Sequence, residues 1–293
     1  MRIIRKIWSL LTLPLLIFTL LTSPQAKSTP SAELVSKDTF VFEKALLMGQ
    51  GIATDGEYYY TSGAITALNL TALGKFTCDD PEIVMSRVNP LPEKCSERGN
   101  NHIGGISVYN GKIYASVEGG DICKACIVVF DCETLKATGE VYDLPNEIYD
   151  DGVPWCTVDP ETGLLYASKW SHAKTIYAYD VNDGMRLVSE IPLVGLGEID
   201  RIQGGEFFEG TLYLSNDTKN NGNFKNILSV DVNSGEVAVA AVRDVGGENV
   251  EAEGMTFYPA EDGSVMHVLD YNKAIGVFIH HYKLNFAEAG NEA

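Results

Sequence analysis

The chain has 293 residues, 45% of them hydrophobic, with 40 acidic side chains against 22 basic ones and a formal net charge of −18. Phosphate backbones and anionic lipid surfaces repel a balance this acidic, so nucleic acid and membrane surfaces are excluded as partners. Six cysteines allow fifteen disulfide connectivities.

At the start, Arg2, Arg5 and Lys6 precede an apolar run from Ile7 to Leu21 and a short polar stretch to Ala26. That order is expected of a cleaved signal peptide over residues 1–26, and so of a secreted or periplasmic protein. The alternative is an uncleaved anchor, although the run falls short of the roughly 20 apolar residues that span a bilayer. Cleavage removes three cations and no anions, leaving a net charge of −21. Residues 27–37 are polar and aperiodic and read as a flexible leader. Residues 38–285 suit one all-β domain, and 286–293 read as a disordered tail.

From Gly51 onward one phrase recurs: a small residue, an apolar alternation, a tight turn and an aromatic-rich second strand. The copies start at Gly51, Gly105, Cys156, Gly205 and Gly254, separated by 54, 51, 49 and 49 residues. In the second copy Ile106 and Val108, then Ile113 and Ala115, flank Asn110-Gly111, a strong hairpin signal. Second hairpins follow, as in the runs beginning at Ile127, Thr175 and Ile227. Two hairpins make a four-stranded blade, and a period near fifty built from strands predicts a β-propeller. Five copies predict five blades; six is the alternative, should the stretch from Thr66 to Val88 hide a degenerate blade. Only one strong strand follows the last phrase, so the stretch from Thr39 is expected to complete the last blade and close the ring. The longest irregular stretch runs from Ala72 to Arg98, with room for a short helical turn.

After a signal peptide, the cysteines are expected to form structural disulfides. Cys78 and Cys95 bracket the long loop and their pairing would pin it; Cys123, Cys126, Cys132 and Cys156 lie close along the next repeats. Cys123-x-x-Cys126 also has the spacing of a redox pair or a zinc half-site, without a second such motif.

In an antiparallel pair, the start of each inner strand and the end of its neighbour lie at one face. That places Gln50, His102, Trp155, Arg201, Gln203 and Trp170 around one mouth of the channel as candidate ligand-binding residues. The repeated pairing of a polar residue with glycine, Gln50-Gly51, Gln203-Gly204 and Glu253-Gly254, supports the placement. Trp155 and Trp170 are read either as an aromatic wall over a ligand or as packing between blades. Glu253, Asp200, Asn216 and Asp270 supply oxygens suited to Ca²⁺. The motifs Asp180-VNDG and Asp231-VNSG read as turns, and His280 and His281 as parts of the closing strand. His102 and His172 are candidates for general acid/base work without a motif that assigns either, and no nucleophile-elbow signature is present.

The phrases QGIATDG, NHIGGI, DGVPW, DRIQGGE and AEGMTFYP, from Gln50 to Pro259, resemble a largely uncharacterised group of secreted bacterial propellers, akin to SMP-30/gluconolactonase-like and YncE-like proteins. The resemblance implies Ca²⁺ at the channel mouth. A fainter one, to calcium-activated nucleotidases, implies Ca²⁺-dependent phosphoanhydride hydrolysis. The expected function is thus a secreted, monomeric propeller binding a small molecule, glycan or extracellular protein at its mouth. The alternative is a Ca²⁺-dependent hydrolase of a lactone, ester or phosphoanhydride.

Overall fold

The computed structural model describes residues 31–40, 45–79, 81–218, 224–245 and 249–285. The expected signal peptide, residues 27–30 of the leader and the tail 286–293 lie outside the described residues. Strand β1 (Ser31–Phe40) is followed by a short helix, α1 (Ala45–Met48). The first blade comprises β2 (Ile52–Thr54), β3 (Tyr58–Ile65), β4 (Leu70–Thr77) and β5 (Ile83–Val88), and a second helix, α2 (Glu93–Glu97), leads to the next. That blade is β6 (His102–Tyr109), β7 (Lys112–Glu118), β8 (Ala125–Asp131) and β9 (Ala137–Asp143). The third is β10 (Trp155–Val158), β11 (Leu164–Ser168), β12 (Thr175–Asp180) and β13 (Arg186–Pro192). The fourth is β14 (Ile202–Phe208), β15 (Thr211–Asn216), β16 (Phe224–Val230) and β17 (Val237–Asp244). The last contains β18 (Val250–Phe257), β19 (Met266–Asn272) and β20 (Gly276–Asn285), with β1 as its fourth strand. The fold is a five-bladed β-propeller. Among the described residues no helix is long and apolar enough to cross a membrane.

Local chemistry explains the hairpins. Asn110 and Gly111 both have positive φ, at 50° and 72°, as do Glu209 and Gly210, so the backbone twist of each turn matches that of its strands. Asp180 and Asp231 accept the backbone N–H two residues on, at 2.8 and 2.9 Å, which makes both of their motifs turns. The stretch from Thr66 to Val88 is no separate blade. It supplies β4 and β5, and β4 is buried from Thr71 to Phe76, a continuous run instead of the alternation that marks a half-exposed strand. The helical turn expected between Ala72 and Arg98 is α2.

A blade has two apolar faces, and five hydrophobic clusters fill the five seams between blades. Tyr60 and Leu73 meet Ile103 and Val128 in the first, and Tyr114 and Val129 meet Val158 and Leu165 in the second. Trp155 and Ile176 meet Ile202 and Leu214, then Tyr213 and Ile227 meet Met255 and Val268. The fifth seam joins Leu269 and Ile279 to Ile52 and Phe76, closing the ring.

Ring closure is as expected in kind and longer in extent. β1 pairs antiparallel with β20 from Ser31 opposite Asn285 to Phe40 opposite Val277, so residues 31–37, expected in the leader, belong to the closing strand. Asp38 accepts from His281 Nε2 at 3.1 Å, and His281 in turn meets His267 Nδ1 at 2.6 Å. Deleting residues 31–40 strips the last blade of its outer strand and exposes an edge. The expected result is loss of a single cooperative transition in calorimetry; a variant melting as one unit at the wild-type temperature would show the strand to be dispensable.

All six cysteines are buried free thiols. The expected Cys78–Cys95 pairing is absent, because Cys78 lies in the closing seam and Cys95 in the seam between the first and second blades.

Candidate functional site

The inner strands crowd the axis at their glycines. A Cβ on Gly104 would lie 2.4 Å from the Pro154 carbonyl oxygen, and one on Gly204 would lie 2.6 Å from Gly254 Cα. Backbone approach this close leaves no room for a side chain. The side chains that precede these points instead open upward into an axial cavity of about 290 Å³. Gln50, His102, Glu118, Asp151, Pro154, Trp170, Arg201, Gln203, Glu251 and Glu253 line it, drawn from every blade.

Two polar arrays line it. In the first, His102 Nε2 donates to Gln50 Oε1 at 2.7 Å, and its Nδ1 lies 3.2 Å from Glu118 Oε1. Gln50 is oriented by its own Nε2, which donates to the Gly49 carbonyl at 2.9 Å. Both ring nitrogens of His102 therefore face oxygen acceptors. Glu118 Oε2 is buried without a hydrogen-bond partner among the described residues. It lies against Gly152, where a Cβ would sit only 2.2 Å from it, so the 150–154 loop folds tightly over the carboxylate.

In the second array Arg201 is clamped by Asp217. Its Nε donates to Asp217 Oδ2 at 2.9 Å, with Nη2 on the same oxygen. Lys225 Nζ holds the other Asp217 oxygen at 2.6 Å, and the Ala252 N–H donates to it at 3.0 Å. The Arg201 guanidinium carbon lies 4.9 Å from the centre of the Trp170 ring, a cation–π contact that gives the cavity a flat wall. Glu251 lies 3.7 Å from Arg201 and 3.0 Å from Lys273. Asp151 accepts the backbone N–H groups of Trp170 and Ser171 at 3.2 and 2.8 Å, fixing that loop.

Glu253 also lines the cavity and is 1% exposed. Burial pushes its carboxyl well above the usual carboxylate range, and the charges of Glu251, Asp217 and Asp270 push the same way. The shift favours the protonated form, which can donate a hydrogen bond, and its Oε1 has no partner among the described residues.

Of the residues selected from the sequence, Gln50, His102, Trp170, Arg201, Gln203 and Glu253 meet in this cavity. Trp155 does not: it is 0% exposed, and its indole donates to Ser168 Oγ at 2.9 Å inside the third seam. Of the four residues assigned to Ca²⁺, Asp270, Asn216 and Asp200 are engaged elsewhere, and only Glu253 has an unpartnered oxygen in the cavity. Asp270 binds Arg243 through both oxygens, at 2.9 and 3.1 Å, and His280 at 2.7 Å. Asn216 donates to the Asp200 carbonyl at 2.7 Å, while the Asp200 carboxylate accepts from the His172 N–H at 2.5 Å. Among the described residues no group of three or more His, Cys, Asp or Glu is placed to hold a metal ion. These donors do not form a common cage. Asp151 went unnoticed in the sequence, since it precedes its inner strand by four residues; the Gly152 turn beside it was the available signal. Glu118 lay at a strand end with nothing to mark it above its neighbours.

Deeper in the channel Glu206 accepts from Thr157 Oγ1 at 3.2 Å, and Thr157 lies 3.5 Å from Ser107, joining three inner strands. Burial pushes the Glu206 carboxyl up to about 7. Because the folded protein holds this proton more tightly, its stabilising effect is full below pH 4.5 and fades as pH rises towards 7, by up to about 3 kcal/mol. His267, held down to about 4 chiefly by burial, acts in the opposite sense, costing stability as pH falls below 6.5. Glu206→Gln removes only the first effect. Between pH 5 and 7 its melting temperature is expected to gain on wild type; parallel curves would refute the assignment.

A five-bladed propeller with one polar axial cavity is the class that fold and site define. No protein-family model matches the chain, and no curated protein matches it. Among solved structures it is similar to a glutaminyl cyclase from Myxococcus xanthus, with a TM-score of 0.61 at 13% identity, covering 90% of this chain and 100% of that one. It is also similar to a tail fibre of a Staphylococcus aureus phage, with a TM-score of 0.52 at 16% identity, covering 88% of this chain and 53% of that one. At these identities the likeness shows the propeller fold.

Proposed function

We propose that the axial cavity binds a small, compact molecule bearing an amine or another group rich in hydrogen-bond donors. The observation that carries this reading is the pair of buried carboxyl oxygens, Glu118 Oε2 and Glu253 Oε1, left without partners at one cavity. An orphaned buried acceptor costs about 1–3 kcal/mol, which a ligand N–H recovers on binding. Charge points the same way. Glu118, Asp151 and Glu251 line the wall, whereas the one lining arginine, Arg201, is already held by Asp217. A volume near 290 Å³ suits an amino-acid-sized ligand better than an extended glycan or a protein segment. Ca²⁺ is a competing occupant of the same acceptors.

The test is calorimetric titration with small primary amines, amino-acid amides first, beside their N-acetylated counterparts and CaCl₂. The amines are expected to bind and the acetylated compounds not, with Glu118→Gln weakening the amines tenfold or more. Equal binding of acetylated compounds, or full affinity in Glu118→Gln, overturns the reading. Ca²⁺ binding abolished by Glu253→Gln would assign the acceptors to the metal.

A second reading is catalytic, favoured by the raised Glu253 carboxyl in the cavity that also holds the His102–Glu118 pair. In its protonated form that carboxyl can protonate a leaving nitrogen, as general acid. The structural neighbour named for glutaminyl cyclisation makes a glutamine-initiated peptide the first substrate to try. Ammonia release by wild type and its loss in Glu253→Gln are the expected results. No release above buffer rejects catalysis on this substrate and leaves the binding reading standing.

A further inference from the structure

The axial cavity gathers cations as well as carboxylates, and the ring draws them from different blades. One group comes from the end of β7 and the loop before β10. There Glu118 and Asp151 stand with a single histidine, His102, so the group is negative whether or not that ring carries a second proton. The other group comes from the fourth and fifth blades. The Asp217 carboxylate that holds Arg201 also holds Lys225, so one buried anion serves two cations. Glu251 is shared in the same way between Arg201 and Lys273. Three cations against two carboxylates leave this group with one positive charge in excess.

Arg201 is also held under strain. Its φ is 60°, a left-handed backbone that is uncommon for a residue with a long side chain and that concentrates at functional sites. Its N–H donates to the Trp170 carbonyl at 3.0 Å, and its carbonyl accepts from the Asp217 N–H at 2.9 Å and from Asn216 Nδ2 at 3.3 Å. The guanidinium spends Nε and Nη2 on Asp217, whereas Nη1 donates to none of the described residues. Two residues on, Gln203 lines the same cavity at 9% exposure, and its side-chain amide has no hydrogen-bond partner among the described residues. Unspent donors thus accompany the excess positive charge.

We propose that the cavity takes a free amino acid as its zwitterion, with the ammonium group on Glu118 and Asp151 and the carboxylate on Arg201 Nη1 and the Gln203 amide. This rests on the amine reading above and adds a second, opposite charge to the ligand. A carboxylate satisfies both unspent donors through charge-assisted hydrogen bonds and offsets the excess cation. The neutral carbonyl of an amino-acid amide accepts the same hydrogen bonds without offsetting the charge.

The test screens the standard amino acids, β-alanine and γ-aminobutyrate by shift in melting temperature at pH 7. The best of them is then titrated calorimetrically beside its amide and its N-acetyl derivative. The free amino acid is expected to bind about tenfold more tightly than the amide, the size of one hydrogen bond between charged groups. The N-acetyl derivative is expected not to bind. Arg201→Gln leaves Asp217 paired with Lys225 and the Ala252 N–H, so the fold is retained. In that variant the preference for the acid over the amide should vanish while the amide binds as before. Gln203→Ala removes no hydrogen bond among the described residues and should weaken the acid by a smaller factor. An amide bound as tightly as its acid, or a preference that survives both variants, overturns the proposal and leaves the amine reading in place. An N-acetyl derivative bound as tightly as the free amino acid, or no binding by any compound, overturns both.

Discussion

Arg243→Met is expected to lose about 3–5 kcal/mol of stability, because it leaves the Asp270 carboxylate buried without its cation. Arg243 and Asp270 are both 0% exposed at the side chain and meet through two charge-assisted hydrogen bonds across the seam between the fourth and fifth blades. Burial alone would push Asp270 up; Arg243 and the His280 hydrogen bond hold it below the usual carboxylate range instead. Tyr282 adds its hydroxyl to Arg243 at 3.2 Å, so the group ties β17 to β19 and β20. The measurement is a urea midpoint with the slope unchanged. Combining Arg243→Met with Asp270→Leu is expected to recover most of the loss, since removing both charges removes the uncompensated one. A single variant as stable as wild type would show that the pair contributes nothing.

Trp155→Ala is expected to cost a similar 3–5 kcal/mol, as the large cavity it leaves cannot collapse between three inner strands. Gly105 and Gly205 on the flanking blades make the space for this side chain. A Cβ on Gly105 would lie 3.0 Å from Trp155 Cα, and one on Gly205 would lie 2.8 Å from its ring. Trp170→Ala serves as the contrast. It removes a half-buried ring that stacks on Arg201, with an expected loss of about 1 kcal/mol in stability and a larger effect on ligand affinity. If the two variants were equally stable, Trp155 would not be the wedge described.

The two tryptophans also show where reading the residues succeeded and where it stopped. The architecture was legible because each blade needs the same small residue at the axis and the same turn after it, which stamps a period on the chain. Six cavity residues followed, since the period places every inner-strand start at one mouth. Of the two readings of Trp155, packing between blades holds, and its place among the mouth residues fails through an offset of one residue. The structure aligns Gly51, Gly104, Pro154, Gly204 and Gly254 at the axis, so Trp155 matches Gly105 and Gly205, on the packing face. The period of two along a strand makes a one-residue offset equivalent to exchanging faces. Asp270 was misjudged for a different reason. A buried carboxylate and a metal ligand look alike in sequence, and its partner Arg243 lies on the outer strand of another blade, where no local pattern connects them. Cys95 likewise reaches the seam that holds Cys123 and Cys126 only through the fold of the loop after β5.

The sharing of one sheet by the first and last strands has a consequence for synthesis. As the polypeptide leaves the ribosome, four blades emerge complete while β1 waits without a neighbour. It finds one only when residues 276–285 appear. A product cut short before that point keeps four finished sheets but presents two raw flanks, each offering unpaired backbone to any passing chain. Nascent truncations are therefore expected to aggregate far more readily than their degree of order would suggest.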